Sequence, residues 1–296
     1  MSEVKIRKAL SLRGGASRGL VYFRLLKEIY NKKIVFENIS GSSAGGIFAA
    51  CLACVRSPKR VKELLVALKG DKVMRWACEA EVGYTTKGEA ISGFGRLIRG
   101  AGLFMFRRIP FTSIKRTFKK HFSWSRINTM GVKRLCIGVV KQKDVIKVLG
   151  KEFFNELKKD GFRDLLDGDG FDDMKESSYK LIHKIPMYFF CNDGVYKKVY
   201  KKKPVRISWK TPPLWKVVLA TFSNPILPHI RLKFDKWYKE ITFDGGIANN
   251  WANTIWNDKD FVQASCDVLP KPNNGKEKGL EGINTLYYND NRPKEA

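Results

Sequence analysis

The first 55 residues alternate in a way that few folds permit. Ala9-Leu10-Ser11-Leu12 is a short apolar run that stops at Gly14-Gly15, and from Gly19 to Tyr30 the residues Leu20, Phe23, Leu26 and Ile29 recur near helical spacing. A second run, Ile34 to Ile39, stops at Gly41-Ser42-Ser43-Ala44-Gly45-Gly46. A helical stretch follows from Ile47 to about Cys54, and Pro58 to Leu68 reads as one more helix. Strand, helix, strand, helix at these lengths predicts parallel strands joined by crossover helices, and so an α/β fold with a mostly parallel central sheet.

The remainder is less regular. Leu135 to Val140 reads as a strand, and Val145 to Leu149 as a second strand that could pair with it. Lys184–Cys191 and Val195–Tyr200 flank Asn192-Asp193-Gly194, which predicts a hairpin. The stretch 160–178 is polar and rich in Gly and Asp, a surface loop. No internal repeat or linker divides the chain, so one domain is expected over 1–270, followed by a polar tail over 271–296.

Gly41-x-Ser43-x-Gly45 lies where a strand is expected to meet a helix. A serine at such a turn is lifted clear of the sheet, and its neighbours two residues away must be small. The helix that follows turns its first N–H groups toward the serine. Ser43 is therefore a candidate nucleophile, whereas Ser42 lacks glycines at both offsets. Taken alone, the pentapeptide also suits a plain strand-to-helix turn.

The upstream loop Gly14-Gly15-Ala16-Ser17-Arg18-Gly19 occupies an equivalent place after the preceding strand. It lacks the G-K-[ST] of a phosphate loop, and the second strand does not end in the acidic residue that a dinucleotide site needs. Converging backbone N–H groups that hold a developing alkoxide account for both glycine motifs together. The donors expected are Gly15 and Ala16, with Gly14 and Ala44 as further candidates, and Arg18 braces the loop or meets a phosphate.

The base partner of Ser43 is not expected to be a histidine. His121 lies in a Lys-rich polar stretch, His183 precedes a strand, and His229 follows a proline. Asp244, in Phe243-Asp244-Gly245-Gly246, ends an apolar run, and its two glycines let backbone approach closely. A partly buried carboxylate there could take the serine proton, although Asp-Gly-Gly is also an ordinary turn.

Charge and cysteine usage bound the partners. Lys+Arg number 56 against 29 Asp+Glu, a formal charge of +27, which favours an anionic surface such as membrane or nucleic acid. From Gly93 to Trp124 there are 8 Lys/Arg, no acid and many aromatics, which suits either an interfacial surface or a cap helix with a buried aromatic face. Lys197–Lys203 reads as a solvated basic face. The 6 cysteines lie mostly in apolar stretches and are expected to be free buried thiols in a reducing compartment. Cys51-x-x-Cys54 has no second pair or His cluster to complete a metal site. The N-terminus has no apolar signal segment, and no run approaches the roughly 20 residues of a membrane span. An intracellular protein, soluble or peripherally membrane-associated, is expected.

In combination, these motifs resemble the patatin-like phospholipases. That family carries a G-G-G-x-[RK]-G loop, a G-x-S-x-G elbow and a D-G-[GA] motif. Here they read Gly14 to Gly19, Gly41 to Gly45 and Asp244-Gly245-Gly246, in the same order. Leu219 to Pro228 is similar to the family's A-S-x-A-x-P-x-x-F-P segment. Ala16 in place of the third glycine and Asn224 in place of a small residue are departures. The resemblance implies a three-layer α/β/α fold and a Ser43–Asp244 dyad supported by Arg18, Gly19, Gly41, Gly45, Gly245 and Gly246. It also implies hydrolysis of phospholipid or neutral-lipid acyl esters with no metal or other cofactor, with nucleic acid the less expected partner. A second reading stays open: a catalytically weak or inactive relative that binds an anionic membrane or nucleic acid through its basic surface.

Overall fold

The computed structural model describes residues 5–14, 22–31, 34–55, 57, 59–64, 112–151, 155, 182, 184–199, 201–221, 223, 230–234, 238–249, 252–256, 261–265 and 284–287. Strand β1 (Lys5–Leu12), helix α1 (Tyr22–Asn31), strand β2 (Ile34–Gly41) and helix α2 (Ser43–Cys54) give the strand–helix–strand–helix order that the glycine-terminated runs predict. Residues 59–64 are helical. Helix α3 (Thr112–His121) and a 3-10 turn (Trp124–Met130) lead into β3 (Arg134–Lys141) and α4 (Gln142–Leu149). Then come β4 (Met187–Cys191), β5 (Gly194–Lys198), β6 (Val205–Ser208), α5 (Leu214–Thr221), β7 (Ile230–Lys233), β8 (Lys239–Asp244), α6 (Gly246–Asn249), β9 (Phe261–Ser265) and β10 (Asn284–Tyr287).

The strands form one mixed sheet in the order β10-β9-β1-β2-β3-β4-β5-β6, with β8 pairing β3 and β7 pairing β8. From β10 to β3 every pairing is parallel, and every pairing beyond β3 is antiparallel. β10 lies inside the 271–296 stretch set aside as a polar tail.

Alternation along β3 separates two cores. Leu135, Ile137 and Val139 join the cluster that contains α1, α2 and α5 residues, whereas Cys136 and Val140 join the one that contains Val145 and Leu149 of α4 and Ile247 of α6. Helices thus cover both faces of the sheet, a three-layer α/β/α arrangement. α2 is apolar or small throughout and buried at every residue, as befits a helix enclosed on all sides.

Two expectations are corrected. Val145–Leu149 is not a strand, because Val145 and Leu149 are buried one turn apart while Lys143 and Lys147 are exposed, a helical spacing. Nor are all the cysteines free thiols. Cys136 and Cys191 stand directly opposite each other across β3 and β4 and form a disulfide. Cys51 and Cys54 are free and buried, and burial pushes the Cys54 thiol up to about 12. Cys78 and Cys266 lie outside the described residues.

Candidate functional site

β2 ends at Gly41 and α2 begins at Ser43, so the turn between them is a single residue. Ser43 has φ of 53°, a left-handed conformation that non-glycine residues seldom adopt and that neighbouring contacts must hold in place. The flanking glycines are steric necessities. A Cβ on Gly41 would collide with the carbonyl oxygen of Gly45, and one on Gly45 would collide with that of Leu12 and lie 2.7 Å from that of Arg13. Gly46 meets the methyl of Thr221 at 2.8 Å in the same sense.

The turn is held from below by α5. The Ser43 N–H donates to the Thr221 hydroxyl oxygen at 2.9 Å, and that hydroxyl donates to the Gly138 carbonyl of β3 at 2.6 Å. Ser223 extends the support. Its hydroxyl is shared between the carbonyls of Ala220 at 2.8 Å and Thr242 at 3.1 Å, and its own carbonyl accepts the Asp244 N–H at 2.8 Å.

Asp244 closes β8 opposite Val139 of β3. A Cβ on Gly245 would lie 2.5 Å from the Gly138 carbonyl oxygen, so only glycine lets the chain pass there. The Gly246 N–H donates to Asp244 Oδ1 at 2.8 Å. The Ser43 hydroxyl donates to the same carboxyl group, and Ser43 and Asp244 are only 6% and 2% exposed. Burial raises the Asp244 carboxyl to about 7, against the pull of the hydrogen bonds from Ser43 and Gly246. A hydroxyl bonded to a carboxylate that titrates near neutrality is a pair able to exchange a proton at ordinary pH.

The structure thus brings together Ser43 and Asp244, some 200 residues apart, with Gly41, Ala44, Gly45, Gly245 and Gly246 around them. Ala44 lies in the first turn of α2, where helix N–H groups have no intrahelical acceptor. Gly14 is buried beyond Arg13. The Tyr22 hydroxyl donates to the Arg13 carbonyl at 2.8 Å, which pins the start of α1 to the end of β1 beside Gly45. Gly15, Ala16, Arg18 and Gly19, which follow Arg13 and precede Tyr22 in the sequence, lie outside the described residues, and so do His183, His229 and Asn224. His121 ends α3, and burial and the neighbouring Lys120 and Arg126 charges lower its pKa. Among the described residues, no group of three or more His, Cys, Asp or Glu is placed to hold a metal ion.

Sequence reasoning assigned no part to Thr221 or Gly138. A glycine inside the apolar run Leu135–Val140 was a readable sign of close backbone approach. The Thr221 hydroxyl had no comparable sign.

A family model, Patatin-like phospholipase, matches residues 10–253. A patatin-like phospholipase domain-containing protein of Cryptococcus neoformans is 43% identical over 65 residues, 22% of this chain and 7% of that protein. A protein of the same description from Candida albicans is 37% identical over 73 residues, 25% of this chain and 8% of that one. A triacylglycerol lipase of Schizosaccharomyces pombe is 40% identical over 60 residues, 20% of this chain and 9% of the lipase. The matched stretches therefore span a tenth or less of these relatives. Among solved structures, VipD from Legionella pneumophila is similar over 88% of this chain and 50% of its own, with a TM-score of 0.39 and 14% identity.

Proposed function

The chain belongs to the patatin-like phospholipase family, and from that membership we propose that it is a lipid acyl hydrolase working through Ser43 as nucleophile and Asp244 as base. The observation that carries this reading is the hydrogen bond from the Ser43 hydroxyl to a buried carboxyl raised to about 7.

In this mechanism Asp244 accepts the Ser43 proton as Oγ attacks the ester carbonyl. The negative charge on the tetrahedral oxygen is met by the N–H groups of Gly14, Gly15, Ala16 and Ala44. Collapse expels the alcohol, which takes the proton back from Asp244 and leaves an acyl ester on Ser43. A water then gives its proton to Asp244 and attacks the acyl carbon, releasing the fatty acid while Ser43 Oγ regains the proton. Thr221 is a positioning residue, since its hydroxyl bonds the Ser43 N–H and the Gly138 carbonyl rather than a reacting atom. The substrate class is a phospholipid or neutral-lipid ester, and a peripheral encounter with an anionic membrane fits the basic surface.

A fluorophosphonate probe with mass-spectrometric site mapping tests the proposal. The expected result is one adduct, on Ser43, that disappears in Asp244→Asn. Undiminished ester turnover by Ser43→Ala would overturn it.

A further inference from the structure

Four large hydrophobic residues are exposed among the described ones; two of them, Val205 at 61% and Ile207 at 40%, fall on β6, and a third, Trp209 at 78%, stands just beyond its end. Val205 and Ile207 alternate with the half-buried Arg206 and Ser208, so they project to one side of β6, and Trp209 stands at the strand's end. β6 ends the sheet on that side.

Trp209 is held in place. The Arg206 guanidinium lies 3.7 Å from the centre of its ring, and Arg206 is fixed in turn by Nε donating to the Tyr196 hydroxyl at 2.9 Å and by Asp193 at 3.6 Å. A large apolar side chain braced in water points to a ligand that buries it. Lys201, Lys202 and Lys203 precede the strand, Lys210 follows it, and all four are exposed. From Gly194 to Phe234 the chain has 10 Lys/Arg and no acid.

We propose that this edge, Val205, Ile207 and Trp209 flanked by Lys201–Lys203 and Lys210, is the docking surface for an anionic lipid bilayer. It rests on the reading that the substrate is a lipid and names the face by which the protein reaches it. A bilayer suits the composition better than the other occupants. The aliphatic side chains gain from an acyl boundary and nothing from a phosphate backbone, whereas tryptophan favours the headgroup level. Lysines at both ends of the edge strand attract anionic headgroups.

The test is vesicle flotation of the full chain carrying Ser43→Ala, so that the lipid stays intact, on phosphatidylcholine with and without phosphatidylserine. Binding is expected to need phosphatidylserine and to weaken with salt. Replacing Lys201, Lys202 and Lys203 by Gln should reduce the partition about 100-fold, and Trp209→Ala should reduce it about tenfold. Both variants should melt at the parent's temperature. Vesicle binding equal to the parent's in both variants overturns the proposal. So does a loss confined to double-stranded DNA binding, or a dimer turned monomer with vesicle binding kept. Turnover of a soluble short-chain acyl ester by the wild-type chain is scored separately. Its absence beside intact, edge-dependent vesicle binding removes the hydrolase reading and leaves the docking surface. Its presence beside edge-independent binding does the reverse.

Discussion

The parallel half of the sheet and its antiparallel half contribute unlike things, and β3 belongs to both. On the parallel side, β2 leaves the sheet through a one-residue turn into a helix buried at every position, and the room available is fixed by backbone carbonyls. On the antiparallel side, β8 lies against the upper end of β3 and delivers a carboxyl, while β5 and β6 run out to an exposed basic edge. The candidate nucleophile therefore comes from one half and its candidate base from the other. Gly138 stands at the join, its carbonyl accepting from Thr221 and passing close under Gly245. The difference teaches that a crossover turn can aim a side chain while a separate hairpin sets its electrostatic surroundings, so each is exposed to a different kind of damage.

Removing one member from each half should separate these contributions. Ser43→Ala is expected to lower turnover of a soluble acyl ester at least about 10³-fold without changing the fold. Full turnover by that variant would end the comparison. Asp244→Asn is expected to lower it about 10²–10³-fold. Because the base must be ionised, wild-type kcat/KM should climb with pH through about 7 and then level off, and this limb should be missing from the Asp244→Asn variant. Stability should move the other way. A carboxyl raised from 3.8 to about 7 binds its proton more tightly in the native state than in the unfolded chain. Its ionisation therefore opposes folding increasingly from pH about 4 to about 7, by as much as about 4 kcal/mol. A neutral amide in its place escapes this cost, so Asp244→Asn should resist urea better than wild type at pH 8, with the advantage gone near pH 4. A variant weaker than wild type at pH 8 would show that the hydrogen bonds outweigh the buried charge.

The parallel half was the more legible in the sequence, for a physical reason. Gly41 and Gly45 are demanded by atoms of their own turn and of the adjoining β1, so their spacing carries the constraint in a few residues. The Asn192-Asp193-Gly194 hairpin was legible on the same terms, and its Gly194 has φ of 143°. Across the antiparallel half, most of the determining contacts join distant segments. The Cys136–Cys191 bridge depends on the register of β3 against β4, which no spacing in the sequence reveals. Val145–Leu149 was misread because a short apolar run does not separate strand from helix until burial on one side is known. Asp244 could be nominated from its apolar approach and its glycines, but its bond to Ser43 follows from the pairing of β8 with β3.

A smaller effect sharpens the steric side of the contrast. Gly45→Ala forces a methyl against the carbonyls of Leu12 and Arg13, neither of which can swing aside, and should cost about 3 kcal/mol. Gly150, which caps α4, has φ of 84° and nothing within 4 Å of a Cβ, so Gly150→Ala meets backbone strain alone and should cost about 1–3 kcal/mol. Urea unfolding of both variants checks the pair. Equal losses would mean that the chain around Leu12 and Arg13 yields to the methyl, so that collision is not what makes glycine necessary at the elbow.

The smallest expected effect lies on the join itself. Thr221→Val keeps the shape of the side chain and deletes the oxygen that accepts the Ser43 N–H and donates to Gly138. Two buried polar groups lose a partner, which should cost about 1–3 kcal/mol of stability. The proposed positioning role adds a kinetic signature that stability alone does not produce. With the Ser43 backbone less firmly held, kcat should fall about tenfold while KM stays unchanged, because the loss bears on alignment at the reacting bond and not on binding of the acyl chain. The midpoint of the pH profile should stay near 7, since Asp244 keeps its burial and its bond from Gly246. Thr221→Ser, which restores the hydroxyl without the methyl, should recover most of kcat. A Thr221→Val variant that melts earlier but turns over at the wild-type rate well below its melting point would make Thr221 a brace for the fold and leave Ser43 to be held by its glycines alone.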